Sequence, residues 1–512
     1  MAMQLVDPRG NPVQANMPTN TYSGGFGREL LNWSPSAESA DRALLPNLNA
    51  INNRAYDITR NEGYASGAIQ IHIDNIVGHQ FKLILKPRHK LLGIDRDEAM
   101  EWARMVELKF ANYAESPDCF FDAEMKRTFT MMVREVVGVH ATVGEHFAAA
   151  EWDKRRPYAT CIKMVDPQRI SNPNGLMDSS DLRAGIELGR FGEATHYHLR
   201  TAHQADQRFG VNTYQWKRIS KFTKTGRLKM LHTFEPTRAD QTRGDAGFAS
   251  VLGNMKMLQK FSNTTLQNAI VNAMYAAVIE TDVNTEQALD IIGGNEEMLA
   301  MMDAKADWAE RLNLKFDGVK IPHLFPGERF DLKTAASPGA DYSAFESSML
   351  RKIASGLNVS YEQLARDYTK TNYSGARAGL NESWRFFMGR RAVIAKRWAT
   401  QVFKLWLEEA IDRGDIPMPA GAPSFHEASN AWANCDWIGA GRPSVDGLKE
   451  VKEMIAKLEA GLITYEKACA ELGEDYQEIF DQQVREMQER KAAGLPPPRY
   501  VPDGMISDQS ND

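Results

Sequence analysis

Apolar positions return every three or four residues along much of the chain, the mark of helices with one buried face. Ile58, Ala65, Ile69, His72, Ile73 and Ile76 keep this spacing and predict a helix from about Asn52 to Ile76, stopped at Gly78. Phe81–Leu85 alternates as a strand does, and Pro87 closes it. Ala99, Trp102, Val106 and Tyr113 share a face of a helix over Arg96–Tyr113, and another helix is expected over Ala123–Val143, ending at Gly144. His146–Glu151 reads as a strand. From Thr160 to Thr233, short runs such as Thr195–Arg200 sit between turn signals such as Asn172-Pro173-Asn174-Gly175. Residues 52–240 are therefore expected to form an α+β unit. Residues 1–50 carry Pro8, Pro12, Pro18, Gly24, Gly25 and Gly27 with little periodicity and read as a mobile arm.

The pattern changes at Gly244. Gly247–Glu280 contains no proline and predicts a helix of about 34 residues, about 50 Å long at 1.5 Å per residue. Loop markers punctuate 281–370, and a second long helix is expected from about Ser374 to Ile411, stopped by Gly414 and Pro417. Three short helices, separated at Gly461 and Gly473, fill 443–492, and the Pro-rich end, 493–512, reads as disordered. The fold class is α+β and predominantly helical. Long helix, compact insert, long helix is an order that suits a lever or spoke holding the insert at its far end.

Two faces of these long helices stand out. Lys256, Lys260, Asn263 and Gln267 lie at offsets of 0, 4, 7 and 11 and share one polar stripe, with the two lysines the only charges between Phe248 and Ile279. By spacing alone that stripe is a solvated or inter-subunit face. On the second helix Trp384, Phe387, Ile394, Trp398, Val402, Leu405 and Trp406 follow helical spacing. They suit either a subunit interface, where tryptophan is favoured, or the chain's own core. Arg385, Arg390, Arg391, Lys396 and Arg397 crowd into 13 residues of the same helix. They would approach DNA phosphates or acidic groups of a neighbour, or form a solvated face.

Composition narrows the function. Apolar residues at 43% and charged residues at 25% are ordinary for a soluble globular protein, and 512 residues suffice for several domains. Acidic side chains outnumber basic ones, 67 to 61. The resulting pI of about 6.1 argues against a tight, sequence-specific DNA clamp. It leaves open a surface past which DNA slides. Cys119, Cys161, Cys435 and Cys469 form no CxxC pair and read as idle thiols of a reducing compartment. Without a secretory signal or an apolar run of membrane-spanning length, the chain is expected to be a soluble intracellular protein with no membrane partner. No phosphate-cradling loop, zinc helix or nucleophile elbow occurs, so no catalytic residues, cofactor or metal are expected. His196 and His198 share a strand face but lack a third ligand nearby in sequence. Glu296-Glu297 and Glu408-Glu409 read as solvated faces.

Four stretches together resemble one known family. They are Arg54-Ala-Tyr-Asp-Ile-Thr-Arg60-Asn61 with Asn75-Ile-Val-Gly78; Leu231-His-Thr-Phe with Arg238, Gln241, Arg243 and Gly244; Leu350-Arg-Lys-Ile353-Ala354 through Tyr361, Glu362, Asp367, Tyr373, Ser374 and Arg377 to Trp384-Arg385-Phe386; and Trp437, Asp446, Lys449-Glu450, Ala468 and Gly473. Spread over roughly 50–495, they are similar to the lambda family of phage portal proteins. Asn358 stands where that family is expected to carry glycine, and asparagine tolerates the same left-handed turn.

The resemblance implies a ring of about twelve subunits at one vertex of the virion capsid, assembled in the host cytoplasm, through which double-stranded DNA is packaged and ejected. It implies a mobile arm (1–51), a wing (52–245), a first stem helix (246–280), a clip within 281–370, a second stem helix within 371–442 (372–412, then a return to the wing), a crown (443–492) and a tail (493–512). The implied partners are the terminase large subunit, a head-completion or adaptor protein, the major capsid protein and scaffold. The rival is a head–tail adaptor without a DNA channel. If the first stem helix lines the channel as the resemblance implies, Lys256, Lys260, Asn263 and Gln267 would face DNA; Gln241 and Arg243, by position, would tie wing to stem.

Overall fold

The computed structural model describes residues 34–275, 340–369 and 371–496, together with Asp303, Asp307 and the short antiparallel strands β9 (Lys315–Phe316) and β10 (Val319–Lys320). The arm before residue 34, most of the segment expected to hold the clip, Glu296-Glu297 and the tail from 497 lie outside the described residues.

The body is helix-rich and carries three small sheets. Strand β1 (Lys82–Leu85) pairs antiparallel with β11 (Cys435–Ile438), Lys82 opposite Ile438, so chain from both sides of the long helices closes one unit. Strand β2 (Glu145–Trp152) lies between β3 (Thr160–Val165) and β8 (Met230–Phe234), placing Phe147 opposite both Val165 and His232. Strands β4 (Leu182–Arg183), β5 (Ile186–Leu188), β6 (Ala194–Arg200) and β7 (Trp216–Ser220) form a meander. Alternate side chains of β2 and β3 meet opposite faces of their sheet, so each strand contributes to the packing on both sides.

A spine crosses this body: helix Tyr373–Arg390, a π turn Arg391–Lys396 and helix Arg397–Asp412, continuous in the chain. Its apolar face sinks into an aromatic cluster in which Phe110 meets Phe403 and Trp406 edge-on at 5.1 Å and Phe129 stacks on Trp437 at 5.2 Å. Trp398, Phe403 and Trp406 are wholly buried.

Several elements depart from the sequence reading for identifiable reasons. The helix expected over 52–76 is two, Leu48–Asn61 and Gly63–Ile76. Glu62 is extended between them, and its carboxylate accepts from the Tyr64 amide at 3.3 Å, starting a new helix. The helix expected from Ala123 starts at Phe129, because Asp122 gathers the amides of Glu124 and Lys126 and the Arg127 guanidinium into a turn. Among the described residues the first helix starts at Ala40, inside the segment read as an arm, since buried Asp41 is bonded to Thr242. The segment assigned to a second stem helix, 372–412, is helical, and its apolar face packs into the body. A face carrying Phe387, Trp398, Val402 and Trp406 is too wide and aromatic for one neighbouring helix to cover, and the body covers it. Ala340–Gly356 lies beside Leu252–Tyr275, where Tyr342 stacks on Phe261.

Candidate channel arm and its anchoring junction

Helices Leu252–Tyr275 and Ala340–Gly356 form an arm. Near its base Met255 and Leu258 are buried; further out Phe261 stacks on Tyr342, ring centroids 5.3 Å apart, and meets Phe345 at 4.7 Å. Ser262 Oγ and the Tyr342 hydroxyl share a hydrogen bond of 3.0 Å. With these residues turned to the partner helix, Lys256, Lys260, Asn263 and Gln267 are all exposed. Lys256 Nζ donates to Gln259 Oε1 at 3.0 Å. Among the described residues neither lysine meets a carboxylate. The stripe read from the sequence is a continuous polar surface.

The arm leaves the body through a tight crossing. Gly144, left-handed at φ +83°, caps the helix Phe129–Val143, and a Cβ on it would fall 1.9 Å from the Asp245 carbonyl oxygen. A Cβ on Gly244 would fall 2.3 Å from the Gly144 carbonyl oxygen. Both positions therefore require glycine for close backbone approach.

Arg243 locks this crossing. Its guanidinium is buried and uses its whole fork: Nε donates to Glu145 Oε1 at 2.8 Å, Nη2 lies 2.6 Å from the same oxygen, and Nη1 and Nη2 reach the carbonyls of Ala184 (2.6 Å), Ile170 (3.2 Å) and Pro167 (3.1 Å). Glu145 also accepts from the Gly244 amide at 3.0 Å and pairs with His232 Nε2 at 3.0 Å. Burial pushes the Glu145 carboxyl up, but the Arg243 guanidinium and the His232 hydrogen bond outweigh it and hold its pKa at about 2. Phe147 lies under the guanidinium at 5.2 Å and stacks on His232 at 4.1 Å. Gln241 folds the preceding turn, accepting from the Thr237 amide at 2.8 Å and donating to the Arg243 carbonyl at 2.8 Å. Arg238 Nη2 reaches the Glu38 carbonyl at 2.9 Å. Arg243 thus ties three segments of the β-rich part to the root of the arm.

The stretch from Leu350 to Arg377 forms the other root. Asn358 is left-handed at φ +56°, where glycine was expected. His72 Nε2 pairs with the Leu357 carbonyl at 3.1 Å; burial lowers its pKa to about 4, keeping it neutral. Ser360 and Gln363 close a capping box. Tyr361 lies under Arg351 at 5.1 Å, and Glu362 accepts from the Thr371 hydroxyl at 3.1 Å. Asp367 accepts from the Thr369 amide at 3.0 Å. Tyr373 and Ser374 open the spine as exposed residues; Lys449 lies over the Tyr373 ring at 5.3 Å, and Arg377 pairs with Glu453 at 3.1 Å.

The basic cluster on the spine is divided. Arg391 points inward to the carbonyls of Ile76 (2.7 Å) and Ala440 (2.7 Å), and its burial lowers its pKa to about 10. Arg390 pairs with Glu235 and Lys396 with Asp436, while Arg385 and Arg397 are exposed. Of the aromatics, Phe387, Trp398 and Trp406 are core residues within this chain, and Trp384 is partly buried beside Arg391.

The remaining candidates for chemistry have structural partners. His196 and His198 do share a face, but Glu187 sits between them, 2.7 Å from His198 Nε2, and is held by a two-pronged Arg218. Among the described residues no group of three His, Cys, Asp or Glu is arranged to hold a metal. Glu408 pairs with Arg227 at 3.0 Å. Glu409, expected to be solvated, is buried and accepts from the amides of Ala159 and Thr160, each at 2.7 Å. All four cysteines are unpaired. Among the described residues no helix is long and apolar enough to cross a membrane.

Glu145 and Asp41 escaped the sequence reading. Asp41 accepts from the Thr242 amide at 2.8 Å and from Arg183 at 2.9 Å, beside the junction. The one available signal for Glu145 was a lone carboxylate heading the apolar strand Phe147-Ala-Ala-Ala; for Asp41 there was none.

The chain has close relatives among known proteins. The family model "Phage portal protein, lambda family" matches residues 26–391. Portal protein B of Escherichia phage lambda is 48% identical over 486 residues, which span 93% of this chain and 90% of that protein. The portal protein of Escherichia phage N15 is 47% identical over 487 residues, 93% of this chain and 91% of the other. Among solved structures, a chain from the neck of an empty gene transfer agent particle aligns with a TM-score of 0.40 and 10% identity, over 87% of this chain and 94% of that one.

Proposed function

The chain belongs to the lambda family of phage portal proteins, and from that premise we propose that it closes into a ring of about twelve copies at one capsid vertex, joined head to tail as a cyclic assembly requires. Double-stranded DNA passes through the ring during packaging and ejection. The observation that carries this reading is the 48% identity to a phage portal protein along 93% of the chain. The protein acts as a structural conduit and not as a catalyst.

The arm supplies the channel wall, with Ala340–Gly356 as the second stem helix in place of 372–412. Lys256, Lys260, Asn263 and Gln267 face the DNA. Each subunit contributes two lysines. As flexible point charges they attract phosphates without the rigid two-pronged grip of arginine, so DNA is retained yet slides. The segment between the arm helices forms the clip, which docks the terminase large subunit and later the head-completion protein. The body forms the wing against capsid and scaffold, and 443–492 forms the crown. Lys256→Ala with Lys260→Ala is expected to preserve the ring while weakening DNA retention in a salt-dependent way. Unchanged retention and packaging at every salt concentration would remove the lysines from the channel wall.

A further inference from the structure

The π turn Arg391–Lys396 sorts the spine's cations onto two sides. An inserted residue rotates the downstream helix by about 100°. Before and at the start of the turn, Arg390 and Arg391 point toward Glu235 and the Ile76 carbonyl. At its end and just beyond, Lys396 and Arg397 line a groove of about 810 Å³ between the spine, the turn Lys221–Leu228 and the helix Phe425–Trp432.

That groove is short of negative charge. Lys221, Arg227, Lys396, Arg397 and Lys404 line it, and Glu408, the one carboxylate among its lining residues, is taken by Arg227 at 3.0 Å. Among the described residues Lys221 and Arg397 meet no carboxylate within ion-pair distance, and Lys404 Nζ donates to the Asn430 amide oxygen at 2.9 Å. Burial, then the nearby Arg397 charge, lower the Lys221 pKa and outweigh the opposing pull of Glu193; burial lowers that of Lys404 and outweighs Glu408. Such crowding is costly unless an anion relieves it. The walls are also apolar: Leu228, Leu405 and Phe425 line them, and the Phe222 ring is 47% exposed at the rim.

We propose that this groove binds an acidic peptide segment of a partner protein, one in which carboxylates alternate with apolar side chains. The carboxylates would reach Lys221, Arg397 and Lys404, and the apolar side chains would cover Phe222 and Leu228. Its volume lies within the range of ligand pockets, about 300–1,000 Å³, and clustered cations reading an acidic motif are a recurrent mode of peptide recognition. Duplex DNA fits this surface less well. It is a convex rod with one charge per about 1.7 Å and favours a long open track, whereas this is a short concavity with apolar walls.

The test uses the full chain and a fluorescein-labelled peptide alternating glutamate with leucine and phenylalanine, followed by fluorescence anisotropy at fixed ionic strength. Binding is expected. It should fall about tenfold or more in Lys221→Ala with Arg397→Ala, the size of one charge-assisted hydrogen bond, and also when serine replaces the peptide's apolar residues. Lys404→Ala gives an independent second variant, and circular dichroism confirms that each variant is folded. No binding, or binding unaffected by either variant, overturns the proposal. Displacement of the peptide by duplex DNA or inorganic phosphate at matched charge would make this a phosphate site instead. Binding by the unassembled chain that vanishes in the ring would assign the groove to a neighbouring subunit.

Discussion

The spine and the C-terminal helices are held to the same body by opposite means. The spine buries Phe387, Trp398, Val402, Phe403 and Trp406 in a continuous aromatic core. The helices Gly447–Glu459 and Tyr476–Ala492 bury no residue, and Tyr465–Leu472 buries only Ala468. They are tied down by polar contacts: Lys82 with Glu478 at 2.5 Å, Lys86 with Glu466 at 2.7 Å, Arg377 with Glu453 at 3.1 Å, and the Arg442 amide to the Glu471 carbonyl at 2.9 Å. Meanwhile Leu448, Val451, Leu462, Leu472 and Phe480 stay exposed. Apolar burial is not weakened by charge screening, whereas exposed ion pairs are weak and screened. One region therefore resists conditions that loosen the other.

The largest effect should come from emptying the core. Trp398→Ala or Trp406→Ala is expected to destabilise the body by about 3–5 kcal/mol, the usual loss for a large aromatic, read from denaturant midpoints. A loss below about 1 kcal/mol would mean the spine is not the body's main support.

Next comes the junction. Arg243→Ala would leave Glu145 buried without its cation, a loss of about 3–5 kcal/mol. The same pair sets a pH dependence. The Glu145 pKa is held at about 2, below its ordinary 4.5. Its stabilisation is therefore complete above pH 4.5 and disappears as pH falls toward 2. Unfolding followed across that window should show a steep loss of stability, flattened in Glu145→Gln. An unchanged slope would separate Glu145 from the acid response.

Smaller still is the effect of salt on the C-terminal helices. Exposed pairs contribute about 0–1 kcal/mol each. Raising salt from about 0.15 to 1 M shortens the screening length from about 8 to 3 Å. Amide exchange in 447–492 should then quicken while the spine's stays constant. Glu466→Gln with Glu478→Gln should mimic high salt. Equal response in both regions would erase the contrast between them.

Much of the fold was legible in the sequence because periodicity reports burial. The spine, the three C-terminal helices and the polar stripe of the arm can all be read from spacing. The left-handed turn at Asn358 was expected from the family resemblance, with asparagine able to stand in for glycine. Long-range pairing was not legible. Nothing in the order of residues says that Leu252–Tyr275 would lie beside Ala340–Gly356 and not beside the spine; that choice depends on which apolar face is wide enough to need the whole body. Arg243 was visible, but its partner Glu145 lies 98 residues away in sequence, and charge partners carry no periodic signal.

A channel for DNA requires assembly into a closed ring, which mass measurement of the purified full chain in solution, over a range of salt and protein concentrations, decides. One dominant species of about twelve subunits, as a closed ring requires, is the expected result; a monomer or a dimer under every condition would contradict it.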